Sequence, residues 1–218
     1  AQEGLYPNVA DRVKGAKLDT EHKKDYLTTK QVARLLGAID RSTLKGLRDY
    51  AMLSVMVTTG LREISIVRAD IGDIRTAGDA VALFYQGKGH EEKADYVKLA
   101  EPVEEAVRAY LKARGGADPK APLFSSIANR NNGERMTTRS VSRVAKERLI
   151  AVGLESDRLT GPSMRHTAAT LNLLNGGTVE ETRQLLGHTN INTTLIYSHA
   201  LERAKNNSEE RIAKAIFG

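Results

Sequence analysis

A chain of 218 residues has room for one well-packed domain, or one domain with a small appendage, while two full domains would be cramped. It holds no cysteine, which excludes disulfides and thiolate metal sites, and no apolar run approaches the ~20 residues of a membrane span. The formal net charge of +6 and a pI near 9.5 favour a polyanionic partner if Lys and Arg gather on one face, although charge alone names none.

Residues 1 to 26, with Gly4, Pro7, Gly15 and the charged Lys23-Lys24-Asp25, read as a linker or lead-in. The opening AQEGLYPNVADR lacks the apolar core of a signal peptide, so a cytoplasmic location is expected. Thr28-x-x-Gln31 has the spacing of a capping box and predicts a first helix carrying Val32, Leu35 and Leu36. Leu44, Leu47, Ala51 and Val55 predict a second, one-striped helix that ends near Thr58 and delivers Arg62 just beyond it.

Val81 to Tyr85 and Asp95 to Leu99 are β-like runs, and the polar stretch from Gly87 to Lys93 between them predicts a hairpin with a long tip. A helical pattern returns at Val103, Ala106, Val107, Tyr110 and Leu111 and stops at Gly115-Gly116. The stretch to Arg135 reads as loop, residues 137 to 150 as helix, and the remainder from Pro162 as short helices. Gly176-Gly177 closes one of these, the Thr178-x-x-Glu181 box opens another, and Gly187 ends it. Ile212, Ala215 and Ile216 predict an amphipathic tail helix too short to be stable alone. The expected fold class is mainly α with a small antiparallel β-sheet (α+β).

Cleaving a phosphodiester without a metal requires a nucleophile, cations on the non-bridging oxygens and an acid for the leaving oxygen. Tyr197 is a candidate for the first, but a phenol with a pKa near ~10 is only ~0.1% ionised at neutral pH and needs an electropositive setting. Arg62 and Arg165 are candidates for the second, since guanidinium forks match phosphate oxygens in pairs. Lys88, between two glycines at a hairpin tip, has reach enough to serve as the acid, and His188 could donate to the phosphate. Taken singly, each has a plain structural reading: a packed tyrosine, salt-bridged arginines, a solvated turn lysine and a capping histidine. His166 and His199 are assigned mainly to local hydrogen bonding. Gly87-Lys88-Gly89 is not a nucleotide loop, because the rest of that motif is missing.

The local contexts nevertheless stand together and in order: Thr58-Thr59-Gly60-Leu61-Arg62, Gly87-Lys88-Gly89, Pro122-Leu123-Phe124, Met164-Arg165-His166-Thr167, Leu185-Leu186-Gly187-His188 and Thr193-Thr194-x-x-Tyr197. Over residues 26 to 218 the chain resembles the catalytic domain of tyrosine recombinases. Lys93 after Gly87-Lys88-Gly89, and Gly176-Gly177, look like integrases of conjugative transposons. The resemblance implies site-specific cleavage and rejoining of double-stranded DNA, in integration or excision of a mobile element. Arg62 and Arg165 would bind the phosphate, Lys88 act as general acid, His188 be the second-half histidine, and Tyr197 form a 3′-phosphotyrosyl link. It implies no metal or nucleotide cofactor and no membrane. It also implies a catalytic domain over 27–218 lacking the usual N-terminal core-binding domain. That domain would be a monomer alone and would assemble as a tetramer on DNA through the tail helix from Glu209 to Phe217.

Two positions depart from the family pattern. Pro162 stands three residues before Arg165, where a histidine is usual, and Ser65 stands three after Arg62, where an acid is usual, with Glu63 beside the arginine instead. Proline suits a helix's first turn but moves no proton, and a lost acid–base group costs ~10²–10⁴ in rate. Three other readings remain at this stage: a DNA-binding module without catalysis, a type IB topoisomerase-like enzyme, and a basic helical domain with no DNA role. Lys30, Arg34, Arg41 and Lys45 on the first two helices are possible phosphate contacts or simply solvated faces.

Overall fold

Thr28 caps the first helix, α1 (Thr29–Gly37), in the reciprocal way its sequence predicts: its hydroxyl accepts from Gln31 N at 3.3 Å, and Gln31 Oε1 accepts from Thr28 N at 2.8 Å. The computed structural model describes residues 25–87, 91–116 and 118–218, without the side chains of 199–200 and 203–205. The predicted lead-in before residue 25 and the hairpin tip at Lys88 therefore lie outside the described residues.

Helix α2 (Leu44–Thr59) is capped by Thr43 and stops at Gly60, whose φ of 65° is left-handed. The predicted stripe of Leu44, Leu47, Ala51 and Val55 understates it. Ala51 through Val57 are all buried, whereas Leu44 and Leu47 are only partly so. The cause is its place: α4 (Glu101–Arg114) and α6 (Gly161–Leu174) pack along it, with α1 and α3 (Glu63–Arg68) at its flanks. A helix stretch packed against neighbours on several sides keeps no polar face there.

Among the described residues the sheet has three antiparallel strands, β1 (Ile74–Ala77), β2 (Ala80–Tyr85) and β3 (Asp95–Lys98), with β2 in the middle. Leu83 faces Val97 on one side and Ile74 on the other. The predicted hairpin is β2–β3, and β1 was not read from sequence. That strand is four residues long at an edge, with Arg75 and Thr76 exposed, too short to show alternation.

Beyond α4, which ends at Gly115 as predicted, Leu123 and Phe124 tuck into the core, and Phe124 stacks on Tyr110 with centroids 5.9 Å apart. Thr137 caps α5 (Thr138–Ala151). An ion cluster ties α5 to α2. Asp49, fully buried, accepts from Arg48 at 2.6 Å and from Arg148 at 2.5 Å. Asp49→Ala strands two guanidiniums against the core, so chemical denaturation should show a loss of ~3–5 kcal/mol.

The carboxyl-terminal part is α6, α7 (Val179–Leu186), α8 (Asn192–Lys205) and α9 (Ser208–Phe217). The Thr178–Glu181 capping box opens α7 and left-handed Gly187 closes it, both as predicted. Ala169, Leu186 and Tyr197 form a second small core that clasps α8 to α6 and α7. Among the described residues no helix is long and apolar enough to cross a membrane.

Candidate active site

Four of the five candidate residues converge from four chain segments. Leu61, buried at 2% exposure, pins the turn after α2, and Arg62 follows as the residue preceding α3, half-buried in an extended conformation. No hydrogen bond or ion pair to the Arg62 side chain is formed among the described residues. Arg165 comes from the second turn of α6 and is braced: its Nη1 donates to Gly60 O and its Nη2 to Leu186 O, each at 2.6 Å. The guanidinium is thereby aimed, with its remaining N–H groups left for an anion.

The two arginines repel one another. Burial, reinforced by Arg62, pulls the Arg165 pKa down to about 10, so it is still charged at neutral pH. Such a pair of cations waits for an anion between them.

His188 stands just past Gly187, buried, with Nδ1 2.9 Å from Thr194 Oγ1. Burial, then Arg165, Arg62 and Arg183, lower its pKa to about 4, so the ring is neutral. In the tautomer in which Thr194 donates to Nδ1, Nε2 carries the proton and is free to donate to an anion. Its folded pKa lies below the ~6.5 of a free imidazole, so the unfolded chain protonates first as pH falls. The stability His188 contributes is present above pH ~6.5 and is lost as pH drops through about 4. Imidazole NMR should find His188 still neutral at pH 5.5, and a ring titrating near 6.5 would contradict this geometry.

Tyr197 lies on α8, 8% exposed, with its ring 4.9 Å from that of His166, which in turn meets Tyr26 edge-on at 5.9 Å. Burial raises the phenol's pKa, and the charges of Arg165 and Arg62 work against that rise. His166 thus does more than the local hydrogen bonding assigned to it, since it is the wall on which Tyr197 rests. Lys88 and the His199 side chain lie outside the described residues.

The hairpin that leads to Lys88 is nonetheless anchored at both feet. Arg68 donates to Gln86 Oε1 at 2.9 Å, and Lys93 Nζ donates to Asp70 Oδ2 at 2.7 Å, Asp73 Oδ2 at 2.5 Å and Arg68 O at 2.8 Å. Arg135 completes the cluster on Asp70 and on the carbonyl of Val67.

The two departures resolve differently. Pro162 sits in the first turn of α6, where its ring fits, and is exposed beside a cleft of about 390 Å³ lined by Arg62, Glu63, Thr138 and Arg165. Ser65 is buried in α3. Glu63 does not pair with Arg62. It accepts from Ser142 Oγ at 2.5 Å and packs on Gly161, where any Cβ would fall 1.8 Å from its oxygen. Its carboxylate therefore sits by the amino terminus of α6 and joins α3, α5 and α6, a favourable place for negative charge.

Sequence reasoning missed three features. Thr194 orients His188. Arg139, Arg143 and Lys146 of α5 line a groove of about 800 Å³ that also touches Pro162, and their i, i+4, i+7 spacing was readable as one basic stripe. Tyr85, which ends β2, feels the charges of Arg165 and Arg62. Lys30, Arg34, Arg41 and Lys45 are exposed.

Residues 25–203 match the phage integrase family. The tyrosine recombinase XerC of Caldanaerobacter subterraneus subsp. tengcongensis is 32% identical over 195 residues, covering 88% of this chain and 52% of that protein. The chain thus spans about half the length of this curated relative. Among solved structures, XerA recombinase superposes with a TM-score of 0.66 at 26% identity, over 94% of this chain and 67% of that one. The Tn1549 transposon integrase in complex with circular intermediate DNA shares the fold, with a TM-score of 0.65 at 23% identity over 82% of this chain and 63% of that one. The mainly helical fold with a small antiparallel sheet and the resemblance read from the motifs are both borne out, and the chain belongs to the phage integrase family.

Proposed function

We propose that this domain cleaves and rejoins double-stranded DNA as the catalytic part of a site-specific recombinase that integrates or excises a mobile element. The observation that carries the reading is the convergence of the Tyr197 phenol and a neutral His188 on the same two guanidiniums. In this reading Arg62 and Arg165 hold the scissile phosphate and His188 donates to a non-bridging oxygen. The Tyr197 oxygen then attacks phosphorus, its proton passing to solvent, and forms the 3′-phosphotyrosyl bond as the bond to the 5′ oxygen breaks. Lys88 supplies the proton to that leaving oxygen. A free 5′ hydroxyl reverses the step on a new strand.

The basic stripe of α5 supports duplex binding along the groove that opens beside Pro162. Helix α9 leaves Ile212, Ile216 and Phe217 exposed at 58%, 66% and 85%, which supports docking of this tail on a neighbouring protomer of a tetramer assembled on DNA. The expected compartment is the cytoplasm.

Pro162 favours one second reading, a DNA-binding module whose chemistry has been lost, because proline carries no group that can move a proton at its corner of the cleft. The test is incubation in EDTA with nicked suicide duplexes spanning candidate element ends, with covalent adducts read on a denaturing gel. An adduct is expected, and Pro162→His should form it ~10²-fold faster. DNA binding with no adduct in either protein would leave the binding module as the function.

A further inference from the structure

Tyr85 closes β2 at the foot of the lysine hairpin, and nothing above gives it a part in the chemistry. Its ring belongs to the main core and the residue is 7% exposed. Its hydroxyl reaches out of that core. It lies 3.0 Å from the place where Gly187 would carry a Cβ. Gly187 separates His188 from Leu186, whose carbonyl accepts from Arg165. The phenol oxygen is thus carried by the sheet to the α7–α8 junction, among the groups that surround the candidate phosphate.

Two phenols face the same pair of arginines, Tyr197 from α8 and Tyr85 from β2. They differ in what else surrounds them. Tyr85 stands opposite Asp95 in the strand register, and burial, then the charge of Asp95, raise its pKa against the pull of the two arginines. A protonated phenol can donate its O–H to a phosphate oxygen. The glycine beside it has two reasons to be glycine. Its φ of 59° is left-handed, and a side chain there would crowd the Tyr85 hydroxyl.

We propose that Tyr85 is a further catalytic residue, whose hydroxyl donates a hydrogen bond to one non-bridging oxygen of the phosphate held by Arg62 and Arg165. This rests on reading the site as one that cleaves phosphodiesters. The donor is neutral, buried and fixed before the phosphate arrives, the condition under which a hydrogen bond to developing charge counts most.

The test has two arms. In the first, single-turnover cleavage of the nicked duplex is compared for the wild type and Tyr85→Phe. The variant keeps the ring in the core and should bind DNA equally while cleaving about ten- to a hundredfold more slowly. The scissile phosphate is then replaced by each methylphosphonate diastereomer. With the isomer lacking the oxygen that Tyr85 serves, the two proteins should cleave at equal rates, and with the other they should differ by the original factor. Equal rates on ordinary phosphate, or one unchanged ratio across both isomers, would overturn the proposal, the second outcome marking a purely structural role.

The second arm needs no cleavage. In protein carrying ¹³Cζ-tyrosine, the Tyr85 resonance, assigned by its loss in Tyr85→Phe, should shift on titration with inorganic phosphate and should not shift in Arg62→Ala. An unmoved resonance in the wild type would overturn the proposal. If wild-type protein forms no adduct yet this shift occurs, the recombinase reading fails while Tyr85 stands as an anion-binding group. If the adduct forms and Tyr85→Phe changes nothing, the reading stands and Tyr85 has no part in it.

Discussion

Tyr197→Phe is expected to abolish the covalent protein–DNA adduct, a loss of roughly 10⁴-fold or more, because the variant lacks the attacking oxygen that α8 presents to Arg62 and Arg165. Binding and folding should be unchanged. The ring that phenylalanine keeps still packs beside Ala169 and Leu186 and against His166, and only the oxygen is lost. The same reasoning sets the pH dependence. Burial holds the Tyr197 pKa above its ordinary ~10, so the ionised fraction rises about tenfold per pH unit throughout the accessible range. When chemistry limits a single turnover, cleavage should climb between pH 7 and 9 without the inflection near 6.5 that an ordinary histidine would impose. His188 has already lost its proton well below that range. An adduct that persists in Tyr197→Phe, or a rate that levels off at a histidine-like pKa, would place the nucleophile or the rate-limiting proton elsewhere.

What could be read from the sequence is what local chemistry decides. The capping boxes at Thr28 and Thr178 and the left-handed stop at Gly187 each depend on residues within one turn, and each is found where its spacing put it. The continuous burial of α2 from Ala51 to Val57 depends instead on α4 and α6 arriving from elsewhere, and no pattern inside α2 announces them. The site divides in the same way. Its motifs single out Arg62, Arg165, His188 and Tyr197 as candidates, but the brace on Arg165 runs to two carbonyls, and a carbonyl has no sequence signature. Glu63 next to Arg62 reads as its partner, yet the fold turns that carboxylate toward Ser142 and Gly161. Tyr85 was legible only as a strand residue, because its role depends on a contact with Gly187 a hundred positions away.

Arg165→Lys should separate the two jobs of that side chain. Lysine keeps the positive charge, but one ammonium cannot span the carbonyls of Gly60 and Leu186, which belong to the end of α2 and the end of α7. Both residues are buried, so at least one acceptor loses its donor, at a cost of ~1–3 kcal/mol measurable by thermal or denaturant unfolding. Chemistry should suffer more than stability does. The fork geometry that matches a phosphate is gone, and the end of α7, which leads into Gly187 and His188, loses its tie to α6, so adduct formation should fall by ~10³-fold. Arg62→Lys is the comparison that isolates the cause. Arg62 has no hydrogen-bond partner among the described residues, so its replacement should leave the unfolding midpoint in place while slowing cleavage by a similar factor. Unfolding curves that shift for Arg165→Lys alone, with adduct formation lost in both, are the expected pattern. If Arg62→Lys cleaves at the wild-type rate, that guanidinium does not grip the phosphate. If Arg165→Lys unfolds like the wild type, the two carbonyls are not what aims Arg165.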